Sequence, residues 1–249
     1  MVIRKSTLIV GVDGCKAGWI AVTFMPDAPS QAEVKVFKSF ADLVSGLQPV
    51  SIIAVDMPIG LPDRTIKGGR EPDWDAKKFL GPRRASVFLV PSRGAVYAHE
   101  QGYAHVCAVA RETSDPPRSP SIQAYWIFPR IQQIDRILRQ DLALRKRVFE
   151  VHPEVSFSLM NNGEPIPERK KVKGHVYLPG MQRRTALLAR QGFSATFLDA
   201  NPPKGAAPDD FYDACACAWS GNRILRRDAR VFPARPGVDA EGLQAAIRA

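Results

Sequence analysis

Four short apolar runs in the first 60 residues, joined in one particular order, leave this chain few ways to fold. Ser6 to Val12 (STLIVGV) reads as a buried strand, and Trp19 to Met25 (WIAVTFM) as a second. Between them, Asp13 to Gly18 (DGCKAG) reads as a turn with two glycines. Pro26 to Gln31 is a loop with two prolines, after which Ala32 to Phe37 (AEVKVF) alternates as a half-buried edge strand does. Ser39 is placed to cap a short helix over Phe40 to Leu47. Val50 to Val55 (VSIIAV) is a fourth strand and ends in Asp56-Met57-Pro58.

Three strands joined by short loops form an antiparallel meander, and a helical crossover returns the chain parallel to one of them. This βββαβ start is the RNase H-like arrangement, with the fourth strand beside the first and parallel to it. Asp13 and Asp56 then end neighbouring strands, about 4.8 Å apart, on the side where α/β sheets carry their sites. The expected fold is α/β: an RNase H-like mixed sheet flanked by helices, one domain over 1–249 with an insertion over about 61–147. In the insertion, helices are expected over Asp73 to Leu80 and Ile131 to Arg145, and a mobile loop over Thr113 to Pro120. Val148 to Val151 is a fifth strand, and Met181 to Gln191 a helix before Gly192. Pro208 to Ile224 is a strongly marked helix: proline at its start, acids in the first turn, then Ala214-Cys215-Ala216-Cys217-Ala218, small enough to lie close on a sheet.

Composition excludes several classes. The 249 residues are 45% hydrophobic and 24% charged, as in an ordinary globular protein. No apolar run approaches the roughly 20 residues needed to span a bilayer. Met1 to Val10 leads into a turn without a small-residue cleavage site, so it reads as a strand rather than a signal peptide, and a cytoplasmic protein with no membrane partner is expected. The four cysteines form no CxxC pair and read as buried thiols rather than zinc ligands. A net charge of +10 is compatible with a phosphate-rich partner. From Arg169 to Ser194 there are seven basic residues and no acidic one, and Arg145-Lys146-Arg147 is a second patch; each fits either a solvated face or a phosphate contact.

Five acids stand out. Asp13 and Asp56 each follow a buried strand, Asp210 and Asp213 lie three apart on one helix face, and Glu150 sits in the fifth strand. Mg²⁺ and Mn²⁺ prefer oxygen ligands, and two such ions about 4 Å apart can serve both oxygens of a phosphodiester displacement. Crowded carboxylates repel one another unless a cation is present. Structural roles compete: Asp13 and Asp56 as turn residues, Asp209 and Asp210 as complements of the helix dipole, Glu150 as an arginine's partner. Asp213, deeper in the helix than Asp209, is expected to face the cluster.

The segments GVDGCKAGWIAV, AVDMPIGLP, GPRRASVFLVPSR, FEVHPEVSF and DDFYDACACAW occur in this order. Together they resemble a widespread bacterial and archaeal family of unknown function, described as predicted RNase H-like nucleases and distantly similar to RNase H and RuvC-type resolvases. The resemblance spans nearly the whole chain. It implies that Asp13 takes the first-strand carboxylate, Asp56 the fourth-strand one, and Asp210 with Asp213 the helix pair, binding Mg²⁺ or Mn²⁺ at Asp13, Asp56 and Asp213. RuvC-type enzymes usually carry Glu on the fourth strand; Asp56 is one methylene shorter. Arg83, Arg84 and Arg93, with Lys16, are candidate phosphate contacts; Arg70 and Lys77 lie in another family-like block. Buttressing ion pairs are the competing role for these arginines, and His152 is either an auxiliary proton carrier or a structural imidazole.

The expected function is a metal-dependent nuclease whose partner is RNA or DNA. One alternative is a non-catalytic binding module on the same fold. Another is an ATP-dependent phosphotransferase of the actin and sugar-kinase type, although DGCKAG lacks the Ser and Thr of that phosphate-binding hairpin. No GxGxxG turn follows the first strand, which disfavours an oxidoreductase.

Overall fold

A computed structural model of the chain describes residues 8–26, 28–47 and 50–249. The chain divides into two units. The first takes the described residues up to Asp56 together with Arg147–Ala229 and Arg248–Ala249; the second takes Met57–Lys146 and Arg230–Ile247.

In the first unit, strand β1 (Ile9–Cys15) pairs antiparallel with β2 (Gly18–Phe24) over its full length, from Ile9 opposite Phe24 to Cys15 opposite Gly18. The expected six-residue turn is therefore shorter. Asp13 and Gly14 stay in the ladder opposite Ile20 and Trp19, and Lys16 and Ala17 alone make the hairpin, with Gly18 at φ +132° closing it. The first strand begins at Ile9; Ser6 and Thr7, expected in it, lie outside the described residues. Strand β2 pairs antiparallel with β3 (Glu33–Phe37), and the expected loop before β3 contains a single 3-10 turn over Pro29–Gln31.

Helix α1 (Phe40–Gly46) is capped reciprocally: the Asp42 amide donates to Ser39 Oγ at 3.0 Å, and the Ser39 amide to Asp42 Oδ2 at 3.2 Å. Its Phe40 meets the buried Trp19 ring edge-on at 5.3 Å. The crossover delivers β4 (Ile52–Val55) parallel to β1, with Ile9 opposite Ile52 and Val12 opposite Val55. Strand β5 (Val148–Glu150) adds parallel to β4, so the sheet order is β3-β2-β1-β4-β5. That order and those directions agree with an RNase H-like fold, as expected from the first 60 residues.

Helices α2 (Pro153–Met160), α3 (Leu178–Arg190) and α4 (Pro208–Arg226) belong to this unit, as do a short helix over Ala195–Leu198 and a hairpin pairing Lys171–Val172 with His175–Val176. Each of α2, α3 and α4 accepts a proline in its first turn, where no intrahelical N–H is needed. Pro179 is why α3 starts before the expected Met181. The stripe Ala214 to Ala218 of α4 is fully buried. Beneath it, a carbon added at Gly11 would fall 2.0 Å from the Ala218 nitrogen and 2.2 Å from the Ala214 oxygen.

The second unit is mostly helical. The expected helix at Asp73 begins at Glu71, with Pro72 in its first turn. The expected helix over Ile131 to Arg145 is two helices, Ile122–Gln140 and Leu142–Arg145. Pro129 inside the first hides its N-terminal half from pattern reading, while Asp141 separates the two by accepting the Ala143 and Leu144 amides at 2.8 and 3.0 Å. Within the expected loop over Thr113 to Pro120, Ser114–Asp115 pairs in parallel with Thr65–Ile66. Helices Arg93–Tyr97 and Tyr103–Glu112 are not legible in the sequence. Among the described residues, no helix is long and apolar enough to cross a membrane.

The contact at Gly11 is backbone on backbone, so relaxation there requires the helix to move. Gly11→Ala is expected to lower stability by about 3 kcal/mol, or about 6–12 °C in Tm, by urea and thermal denaturation. A loss under about 1 kcal/mol would mean that α4 does not bear on β1 at this point.

Candidate metal centre

Val12 and Val55 are paired in the parallel ladder, and Asp13 and Asp56 each follow one of them. The Asp56 amide donates to the Val12 carbonyl at 2.9 Å, which carries the pairing into the site. From above, α4 contributes Asp213, next to the Ala214 that touches β1. One carboxylate oxygen from each of Asp13, Asp56 and Asp213 lies within 4.8 Å of the others. Asp13 is 9% and Asp213 4% exposed, while Asp56 is half-buried. Asp13 Oδ1 accepts the Gly14 amide at 2.6 Å, and Asp213 Oδ2 accepts from the Lys170 ammonium. Asp213 Oδ1 is buried with no hydrogen-bond partner.

Three carboxylates without a nitrogen or sulfur donor form a hard oxygen set, the chemistry of Mg²⁺ and Mn²⁺ rather than zinc. The unpartnered Asp213 oxygen is what an ion would satisfy. The residues present therefore fit a divalent ion.

Like charge and burial act together here. Burial, then the charges of Asp56, Asp213 and Asp210, hold the Asp13 carboxyl well above its usual range, with Lys170 opposing. Asp56 is pushed up to about 8, first by burial and then by Asp213, with Glu150 and Glu154 adding to it. Burial also raises Asp213, against the pull of Lys170. For Lys170 burial works against its charge, but Asp213, Glu154 and Asp13 outweigh it and keep the ammonium protonated.

Most of the other acidic candidates have partners of their own. Asp210 Oδ2 accepts the Ala207 amide at 2.9 Å and so closes the start of α4. Asp209 is paired with Lys171 at 2.6 Å. Glu150 is buried in β5 and faces the charge of Arg248, whose guanidinium lies 4.9 Å over the Phe149 ring. His152 is the residue before α2, and its carbonyl accepts from Val155 and Ser156. Lys16 is exposed on the β1–β2 hairpin.

Arg83, Arg84 and Arg93 belong to the second unit. Arg83 and Arg84 lie on a 3-10 turn over Gly81–Ser86, with Arg84 exposed. Arg93 is held by Asp135 at 3.0 Å and Asp239 at 2.7 Å. Arg70 is buried against Asp73 and the carbonyls of Ile59 and Gly60, and burial lowers the half-buried Lys77. All four cysteines are free and buried, and burial raises the Cys215 and Cys217 thiols far out of the reactive range.

Three residues with a place at this site were not singled out from the sequence: Lys170, Glu154 and Arg184. Arg184 is fully buried; it bonds Glu154 Oε1 at 2.6 Å and the carbonyls of Glu168 and Gly180 at 3.0 and 2.9 Å. Its guanidinium also lies 5.4 Å from the Phe157 ring centroid. The signal available was weak. Lys170 and Arg184 lie in the basic run 169–194, and Glu154 follows the FEVHP segment.

The raised carboxyls set the sign of a pH effect. With a folded pKa near 8 against an ordinary 3.8, Asp56 keeps in the folded state a proton that the unfolded chain has released. Its contribution is full below about pH 4 and is lost as pH rises through about 8. In EDTA, Asp56→Asn should therefore raise Tm relative to wild type by an amount that grows across that window. A difference that stays constant with pH would contradict the raised carboxyl.

Comparison with curated proteins and with solved structures returns no match. A family model described as "Protein of unknown function (DUF429)" matches residues 11–237, a span that includes Asp13, Asp56 and Asp213. With nearly all of its length matched by that one model, the chain belongs to the DUF429 family.

Proposed function

We propose that this protein is a metal-dependent nuclease that hydrolyses phosphodiester bonds of RNA or DNA, with Asp13, Asp56 and Asp213 holding Mg²⁺ or Mn²⁺. One observation carries the reading: three carboxylates from β1, the end of β4 and α4 converge within 4.8 Å at the carboxyl end of an RNase H-like sheet. An ion bound there would supply Lewis-acid stabilisation of charge building on a phosphoryl oxygen and would make a nearby water more acidic. The protein's own residues do the rest. The β1–β4 ladder and the α4 contact fix the three carboxylates before substrate arrives, so little reorganisation accompanies reaction. Lys170 keeps a positive charge at the site, and Lys16, three residues from Asp13, offers the backbone of a bound strand an exposed ammonium. The net charge of +10 favours polyanion binding by counterion release. In the second unit Arg84 is open to phosphate, while Arg93 is already engaged by two aspartates.

A second reading has its own support. Lys170 bonded to Asp213 is an internal cation, as expected of a binding module that keeps the acids for structure or for another ligand.

Purified protein incubated with single-stranded, duplex, hybrid and branched substrates should cleave at least one of them in Mg²⁺ or Mn²⁺ and none in EDTA. Asp13→Asn should abolish cleavage while folding and nucleic-acid binding persist. If no substrate is cut, or Asp13→Asn cuts as well as wild type, the non-catalytic reading is the better one.

A further inference from the structure

Hydrolysis at a carboxylate cluster is commonly served by two cations about 4 Å apart. In this protein one cation is already built in. We propose that the site takes a single divalent ion and that the Lys170 ammonium stands where a second ion would otherwise be; this rests on the metal-site reading above.

Three observations carry it. The first is how Asp213 is divided. Its Oδ2 accepts from Lys170, while its Oδ1 is buried and unpartnered, so one carboxylate serves the ammonium and still presents a ligand atom. The second is charge. Asp13, Asp56 and Asp213 carry three negative charges when ionised; the ammonium balances one, and a single divalent ion balances the other two. Glu154 also acts on Lys170, but its own charge is matched by Arg184, to which it is bonded at 2.6 Å.

The third is that Lys170 is delivered by a fixed backbone. Its carbonyl accepts the Tyr177 amide at 2.8 Å. The next residue, Lys171, reaches Asp209 on α4 at 2.6 Å. Arg184 Nη1 holds the Glu168 carbonyl at 3.0 Å, and the first turn of α3 presses so closely that a carbon added at Gly180 would fall 2.0 Å from the Arg169 oxygen. Held in this way, Lys170 supplies a fixed positive charge and N–H donors to a phosphoryl oxygen, as an ion would, without exchanging with solvent ions.

The test counts ions. The full chain, stripped with EDTA and dialysed, is titrated with Mn²⁺ alone by calorimetry and electron paramagnetic resonance, with Asp13→Asn run in parallel to subtract ions bound elsewhere. Wild type and Lys170→Arg should each take one ion dependent on Asp13, and Lys170→Met should take two. Two such ions on wild type, or one on Lys170→Met at unchanged affinity, would overturn the assignment while leaving the metal site intact. No Asp13-dependent ion on wild type would remove the metal site and the assignment together. Should Lys170→Met fail to fold by circular dichroism, the counts on wild type and Lys170→Arg decide: one ion on each supports the assignment, and two on either overturns it.

Discussion

The backbone of α4 passes so near Gly11 that one added carbon would fall 2.0 Å from the Ala218 nitrogen, and the geometry of the first unit follows from that approach. A β-carbon on β1 at this point would lift the helix and carry Asp213 away from Asp13 and Asp56. The approach is extended along the helix by side chains that are nearly all small. Ala214 to Ala218 are fully buried, a carbon added at Gly221 would fall 2.9 Å from the Ile9 side chain and 3.3 Å from Ala54, and Ser220 bonds Ser156 of α2 at 2.8 Å. A helix held by backbone proximity rather than by long side chains has few ways to shift, and a ligand set built on it keeps its shape.

Against that rigid frame the electrostatics are adverse. Asp13 and Asp213 are buried beside Asp56, with Glu150 and Glu154 close enough to raise the Asp56 carboxyl further. Folding alone gives no reason to gather like charges in a place with little water. The structure offsets the arrangement locally: Arg184 answers Glu154, Lys170 answers Asp213, and Lys171 answers Asp209. These pairs account for three acids, while the Asp13 and Asp56 carboxyls, crowded by burial and by their acidic neighbours, are both held well above their usual range. Such residual repulsion is characteristic of sites that take a ligand.

The sheet was legible because its signals are local: alternating or fully apolar runs, Ser39 at the start of α1, and a helical crossover long enough for a parallel return. Asp13 and Asp56 were legible by position, each following a strand residue paired with the other's. Asp210 and Asp213 could not be ranked by spacing, since both lie on one face; the cap to Ala207 separates them, and it exists only once the helix start is built. Lys170 was hidden for a different reason. Among seven basic residues, nothing local marks the one whose backbone is pinned by Tyr177 and whose neighbours are held by α3 and α4. The start of the helix at Ile122 was obscured by Pro129, a residue that normally argues against the interior position it occupies.

The three aspartates come from positions 13, 56 and 213, so the site joins widely separated parts of the chain. Its first two members come together with the sheet; the third arrives only when α4 settles on Gly11. Opening of that helix would separate the three aspartates, and an ion bound among them would oppose the opening. Docking and ion binding would then be linked halves of one equilibrium, in which free ion at a hundredfold excess over its Kd would add about 2.7 kcal/mol to the closed form. With such an ion, its concentration around the protein would set how often α4 lets go.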